Sequence, residues 1–236
     1  MTQDQSSVDA WDKEGQQYPE AFDNRFEGTH GRRWNALEVN ELRFDDLASR
    51  SHCLEVGCGT GRFISDLADR GHNAYGIDPS DGMIAIAKQK TANKRQVHLQ
   101  QGEGNKLPYE NNFFDLVFAI RVTRHTLSRQ YCLTMIDEIV RVTKPGGRIV
   151  IEFSNRLRPR RRAAETTFSI GELQSIYAGR RDVNITGKSG IMILSQGLYY
   201  RVPASLLPFW SGIDTFLSKL LPSLASYFYL TFKKVQ

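Results

Sequence analysis

The stretch "LEVGCGTGRF" places Gly57, Gly59 and Gly61 at alternate positions behind a short apolar run, with a carboxylate, Glu55, two residues before the first glycine. A strand that runs into closely spaced glycines lets backbone approach a ligand and permits positive φ, the requirement of a nucleotide-like cofactor site. The spacing is G-x-G-x-G. A dinucleotide fingerprint, G-x-G-x-x-G, would put its last glycine where Arg62 stands. A carboxylate at Glu55 repels a pyrophosphate and attracts an ammonium group. Asp78 closes the next apolar run, "NAYGIDP", and is placed to accept hydrogen bonds from ribose hydroxyls. That acidic residue fits NAD and S-adenosylmethionine equally; the glycine spacing and Glu55 favour the second.

A second group of chemically capable residues sits in "AIRVTRHT", after the most hydrophobic run of the chain, "FFDLVFAI". His125 is a candidate general base, since an unperturbed imidazole titrates near neutrality; it equally suits a histidine packed beside a helix start. Arg121 and Arg124 suit an acidic acceptor or pairing with nearby carboxylates. A third group is the run Arg156, Arg158, Arg160, Arg161 and Arg162. Without these five, 26 basic residues face 26 acidic ones, so the net charge of +5 is one local patch. Three readings of it stay open: a solvated loop, recognition of phosphate or carboxylate on a substrate, and contact with an anionic membrane.

These residues need elements to position them. Strand-like runs at "HCLEVGC", "NAYGIDP", "QVHLQQG", "FFDLVFAI" and "RIVIEF" alternate with helical spacing over 62–69, 80–90 and a segment capped by Ser128. "KPGG" ends that last helix. Such alternation implies a doubly wound parallel α/β sheet with right-handed crossovers. A helix over 34–47 precedes the first strand. Further on come a short helix over 172–177, a strand at "DVNIT", a helix over 213–221 and a final strand over 227–232. Tyr18, Phe22 and Phe26 share a helical face that could cover the site or join the core. The block holding Leu206, Phe209, Trp210, Phe216 and Leu220 reads as core or lid, because its only positive charge is Lys219; an interfacial surface is the third reading.

With 236 residues, 40 % hydrophobic and 24 % charged, the chain is read as one domain: a cover over 1–50, a cofactor core over 51–153 and a substrate side over 154–236. Cys53, Cys58 and Cys132 lack CxxC spacing, which argues for a reducing, cytoplasmic setting and against a zinc site. No signal peptide and no run of 18 apolar residues is apparent.

From residue 54 to 153 the chain resembles the class I S-adenosylmethionine-dependent methyltransferases, in the small-molecule branch that includes quinone-biosynthesis enzymes. The pieces are "LEVGCGTGRF", "GIDPSDGMIAIAK", "LPYENNFFDLVFAI" and "IVRVTKPGGRIVIEF", in order. The resemblance implies a seven-stranded, mostly parallel sheet with an antiparallel last strand, and S-adenosylmethionine as cofactor. It implies that Glu55 and the loop of Gly57, Gly59 and Gly61 hold the methionine part and Asp78 the ribose. Ser80 and Met83 would flank the adenine, Glu103 and Gly104 meet its edge, and Ala119, Ile120 and Arg121 line the floor. The family usually has Asp-Ala where this chain has Glu103-Gly104. The activity expected is methyl transfer to a small acceptor, anionic or lipidic. RNA or protein methylation through the arginine run and a non-catalytic cofactor-binding scaffold are the alternatives, with a dehydrogenase last. Against nucleic-acid methylation, the chain has no N-P-P-Y-like segment and no Pro-Cys nucleophile.

Overall fold

Seven strands pair in the order β3-β2-β1-β4-β5-β7-β6 in a computed structural model that describes residues 29–126, 128–158, 166–193 and 201–236. They are β1 (His52–Val56), β2 (Asn73–Asp78), β3 (Val97–Gln101), β4 (Phe114–Ala119), β5 (Thr143–Ser154), β6 (Val183–Ile191) and β7 (Tyr227–Lys234). β1 to β5 pair parallel; β7 slots between β5 and β6 and runs antiparallel to both. Six α-helices are present among the described residues: α1 (Thr29–Leu42), α2 (Arg62–Asp69), α3 (Asp81–Lys90), α4 (Arg129–Val142), α5 (Ile170–Tyr177) and α6 (Leu207–Leu220).

The period of two along each strand sorts its side chains between two apolar layers. Leu54, Val56, Val117, Ala119, Ile149 and Ile151 face the layer closed by Met135 and Ile136 of α4 and Leu173 of α5. Cys53, Leu116, Phe118 and Val150 face the other, closed by Trp34 of α1, Phe63 and Leu67 of α2 and Ile84 of α3. The three cysteines are buried thiols, with no disulfide. No helix among the described residues is long and apolar enough to cross a membrane.

Element ends follow local chemistry. Ser80 and Ser128 cap α3 and α4 by accepting from the backbone N–H of Met83 and Tyr131. A capping box between Ser169 and Glu172 starts α5 at Ile170, two residues ahead of the expected boundary. α1 ends at Leu42, short of the expected residue 47, because Arg43 turns left-handed and a single 3₁₀ turn, Phe44–Asp46, follows. α4 stops at Val142, before "KPGG", and β5 begins there; the Pro-Gly-Gly segment forms a bulge, with Gly146 at φ 76°. β6 runs five residues past "DVNIT", and α6 begins six residues ahead of 213, with Pro208 tolerated in its first turn. Tyr18, Phe22, Phe26, Arg160, Arg161 and Arg162 lie outside the described residues.

Candidate functional site

The strand order reverses between β1 and β4, so the loops at their carboxyl ends diverge and open a crevice. The glycine loop lies at that point. Gly57, Gly59 and Gly61 have φ of 74°, 50° and 78°, the left-handed region that a side chain resists. The Ile77 carbonyl pins the loop by accepting from the N–H groups of Gly57 and Cys58, at 2.8 and 3.1 Å. A Cβ on Gly57 would strike Val122, at 2.3 Å, whereas the same atom on Gly59 would meet nothing within 4 Å. Gly57 is therefore set by packing, and Gly59 faces open space where a ligand could lie.

Asp78, at the end of β2, spends one hydrogen bond from each oxygen on this loop region. Oδ2 accepts from the Gly59 N–H at 2.9 Å and Oδ1 from the Ser80 N–H at 3.0 Å. Ser80 and Met83 are buried, Ser80 as the α3 cap. Gly104 packs against α4 and β1: a Cβ there would come within 2.9 Å of both Met135 and Val56. A side chain at this position would press on both neighbours, which suits glycine here. The Glu103 carboxylate lies close enough to the Tyr131 phenol to help burial raise it to about 12.

Glu55 is the electrostatic centre. It is 4 % exposed, and its Oε2 has no hydrogen-bond partner among the described residues. Burial pushes its carboxyl well above the usual carboxylate range; Arg62 opposes the shift, while Asp78 and Glu38 add to it.

The fourth strand delivers Ala119, Ile120 and Arg121 beside this carboxylate. Ala119 and Ile120 are buried, in opposite apolar layers for the strand end. Arg121 adopts φ 63° and turns its guanidinium onto Glu38 of α1: Nε and Nη2 donate to Oε1 at 2.8 and 2.7 Å. The same carboxylate accepts from Trp34 Nε1 and from Arg62, each at 2.7 Å, and Arg121 lies over the Trp34 ring at 5.0 Å. Burial works against the Arg121 charge, but Glu38 and Glu152 outweigh it and hold the group above its ordinary range.

Arg124 and His125 stand on the 3₁₀ turn Thr123–His125 that follows. Arg124 Nε donates to His125 Nε2 at 2.9 Å and Nη1 to the Tyr227 hydroxyl at 3.0 Å. An accepting Nε2 requires the neutral ring with its proton on Nδ1. The lone pair a base would use is directed at Arg124 in this arrangement. Beneath them Glu152 of β5 is buried and accepts from Tyr229 at 2.9 Å. Burial and then Glu38 raise its pKa, against Arg124 and Arg121.

Sequence reasoning did not single out Glu38 or Glu152. Glu152 carried a signal, a charge inside the apolar run "IVIEF". Glu38 carried none, because its guanidinium partners lie 24 and 83 residues away. Together the charges form one cluster: carboxylates at Glu38, Glu55, Asp78 and Glu152, guanidiniums at Arg62, Arg121 and Arg124, coupled through Glu38. Among the described residues the acids of this cluster outnumber its bases, four to three, and the glycine loop lies beside it. A cationic ligand group fits that imbalance.

Of the arginine run, Arg156 pairs with Glu172 at 3.0 Å and Arg158 lies over the Tyr227 ring at 4.6 Å.

Residues 54–151 match the model of the methyltransferase domain family. A demethylmenaquinone methyltransferase of Lactococcus lactis subsp. lactis is 37 % identical over 132 residues, covering 53 % of this chain and 50 % of that protein. Another from Bacillus mycoides is 33 % identical over 126 residues, 50 % of this chain and 51 % of its own. The chain spans about half the length of these curated relatives. Among solved structures, the N-methyltransferase NodS from Bradyrhizobium japonicum, in complex with S-adenosyl-L-homocysteine, superposes with a TM-score of 0.69. That likeness covers 98 % of this chain and 99 % of NodS at 16 % identity, and shows a shared fold.

Proposed function

We propose that the protein is an S-adenosylmethionine-dependent methyltransferase that transfers a methyl group to a small acceptor held at the ends of β4 and β5, a reading that proceeds from the match of residues 54–151 to the methyltransferase domain family. The observation that carries the reading is the buried Glu55 carboxylate, one oxygen of it without a partner among the described residues, in a cluster whose acids outnumber its bases. The amino group of a methionine moiety is a cation of suitable size. Glu55 receives it, and the open side of Gly59 takes the methionine backbone. Asp78 accepts from the ribose hydroxyls. Ser80, Met83, Glu103 and Gly104 border the adenine, and Ala119 and Ile120 form an apolar floor.

S-adenosylmethionine supplies a methyl group already activated by its sulfonium. The remaining task of the chain is to align an acceptor atom in line and exclude water. Glu38 holds Arg62, at the foot of the glycine loop, and Arg121, at the end of β4, in one fixed geometry. Arg124 stands on the turn after β4, on the acceptor side, where its guanidinium can meet an ionisable acceptor once it leaves His125. An acceptor that must lose its proton gives it to His125 once Arg124 releases Nε2. The relatives' printed activity supports a quinone-like ring as that acceptor.

The test is transfer of radiolabelled methyl into an extract partitioned into organic, small aqueous and macromolecular pools. Label in the organic pool is expected. Glu55→Ala or Asp78→Ala should weaken calorimetric cofactor affinity by about tenfold or more. Label confined to macromolecules would replace the small-molecule acceptor with RNA or protein, and unchanged affinity in both variants would move the cofactor elsewhere.

A further inference from the structure

Helix α6 buries the side that most helices expose. Ser211, Asp214 and Ser218 point inward and are buried, whereas Phe209, Trp210, Ile213, Phe216 and Leu220 are exposed, Phe209 and Phe216 at 66 % each. An ordinary surface helix hides its apolar stripe against the core. Here the inward positions serve close approach: a Cβ on Gly190 of β6 would stand 2.8 Å from the Ser218 carbonyl. Leu207 is buried with them, and the large apolar side chains outside add nothing to the core.

The apolar face continues past the helix into Leu224, at 56 % exposure. At that end it meets the arginine-bearing segment. Asn155 Nδ2 donates to the carbonyls of Ser223 and Ala225, at 2.7 and 2.8 Å, and Arg158 lies over Tyr227. Within residues 201–226 the exposed charges are Arg201 and Lys219, both positive; the one acid, Asp214, is buried. The segment therefore combines large exposed apolar and aromatic side chains with two exposed positive charges and no exposed acid.

We propose that this face docks on an anionic lipid bilayer, with α6 lying in the headgroup plane. Phe209, Trp210, Phe216 and Leu220 reach the acyl boundary, and Arg158, Arg201 and Lys219 meet lipid phosphates. The helix is too short to span the bilayer, so the contact is interfacial. A second copy seated on the same face would bring like charges together around one apolar patch, which opposes a two-fold self-contact. The docking goes beyond the transfer reaction and holds whatever the methyl acceptor is.

The full chain is sedimented with vesicles of phosphatidylcholine, with and without phosphatidylglycerol, and cofactor affinity and melting temperature are read on the same preparations. Binding to the anionic vesicles, weakened by salt, is expected. The exposed-site double variant Phe209→Ser/Phe216→Ser should lower partitioning about tenfold or more, with cofactor affinity and melting temperature unmoved. Lys219→Glu should weaken binding to anionic vesicles alone. The proposal is overturned by protein that stays in the supernatant with both vesicles, or by a double variant that partitions like the parent. A solution dimer that the double variant dissolves, or vesicle binding gained only on deleting residues 1–28, would overturn it too, the face then being taken by a second copy or by the N-terminal segment. Because cofactor affinity is read separately, failure of docking stays distinct from failure of the methyltransferase reading.

Discussion

Glu55 is set where its charge is costly to the fold and useful to a cation, and the two effects separate by pH. In the unfolded chain its carboxyl titrates near 4.5; in the folded protein burial raises it well above that value. A group raised on folding favours the native state below its unfolded pKa, and that contribution is lost as pH rises toward the folded one. Glu55→Gln removes the dependence. Without cofactor, the variant should melt like the parent near pH ~4 and above it near pH ~8, while binding cofactor more weakly. A parent and variant that track each other across the range in thermal melts would mean that Glu55 is solvated. At this scale the sequence was informative where partners are close along the chain. Glu55, the glycines and Asp78 fall within one strand-helix-strand unit, so their spacing alone exposes a ligand loop. It was silent on Glu38, whose role exists only once β1 and β4 pair. It also did not show that Arg124 would direct itself onto the lone pair of His125.

Helix α1 is tied to the cofactor half by one carboxylate. Glu38 is fully buried and answers two guanidiniums, each roughly a quarter exposed, together with the Trp34 indole. Removing the acid leaves both arginines facing a dry contact, a change of the kind that costs about 3 kcal/mol. Glu38→Ala should lower stability by about that much in denaturant titration. It should also weaken cofactor affinity, because Arg62 opens α2 directly behind Gly61. An unchanged midpoint would show that α1 is held by its apolar contacts instead. The elements themselves were legible to the extent that periodicity fixes type. Apolar runs became β1 to β5, and serines marked the starts of α3 and α4. Periodicity does not say which way a face points. In α6 the apolar stripe suggested core or lid, yet Ser211, Asp214 and Ser218 are buried beside Leu207 while Phe209, Trp210, Phe216 and Leu220 are exposed. "KPGG" misled in a milder way: its glycines bulge a strand that has already begun.

At the scale of the whole molecule, topology turns scattered residues into a charge balance. The alternation of strands and helices predicts the parallel part of the sheet, but the insertion of β7 between β5 and β6 has no local signal; only the family resemblance anticipated an antiparallel last strand. That arrangement sets Tyr229 of β7 on Glu152, and the order β1-β4-β5 brings Glu55, Arg121 and Glu152 to one edge. Burial favours the protonated form of Glu55, and in that form three carboxylates face three guanidiniums among the described residues. A bound cation makes room for the fourth negative charge, so binding and ionisation of Glu55 are linked. Cofactor binding should therefore release a proton, up to about one per site, at any pH where the unliganded Glu55 still holds it. Calorimetry in two buffers of different ionisation enthalpy reads that number directly as the difference in apparent heat. The parent should show the release, and Glu55→Gln should bind with none. A parent whose heat is independent of buffer would mean that Glu55 is already ionised before the ligand arrives, and that the cluster balances its charge by another route.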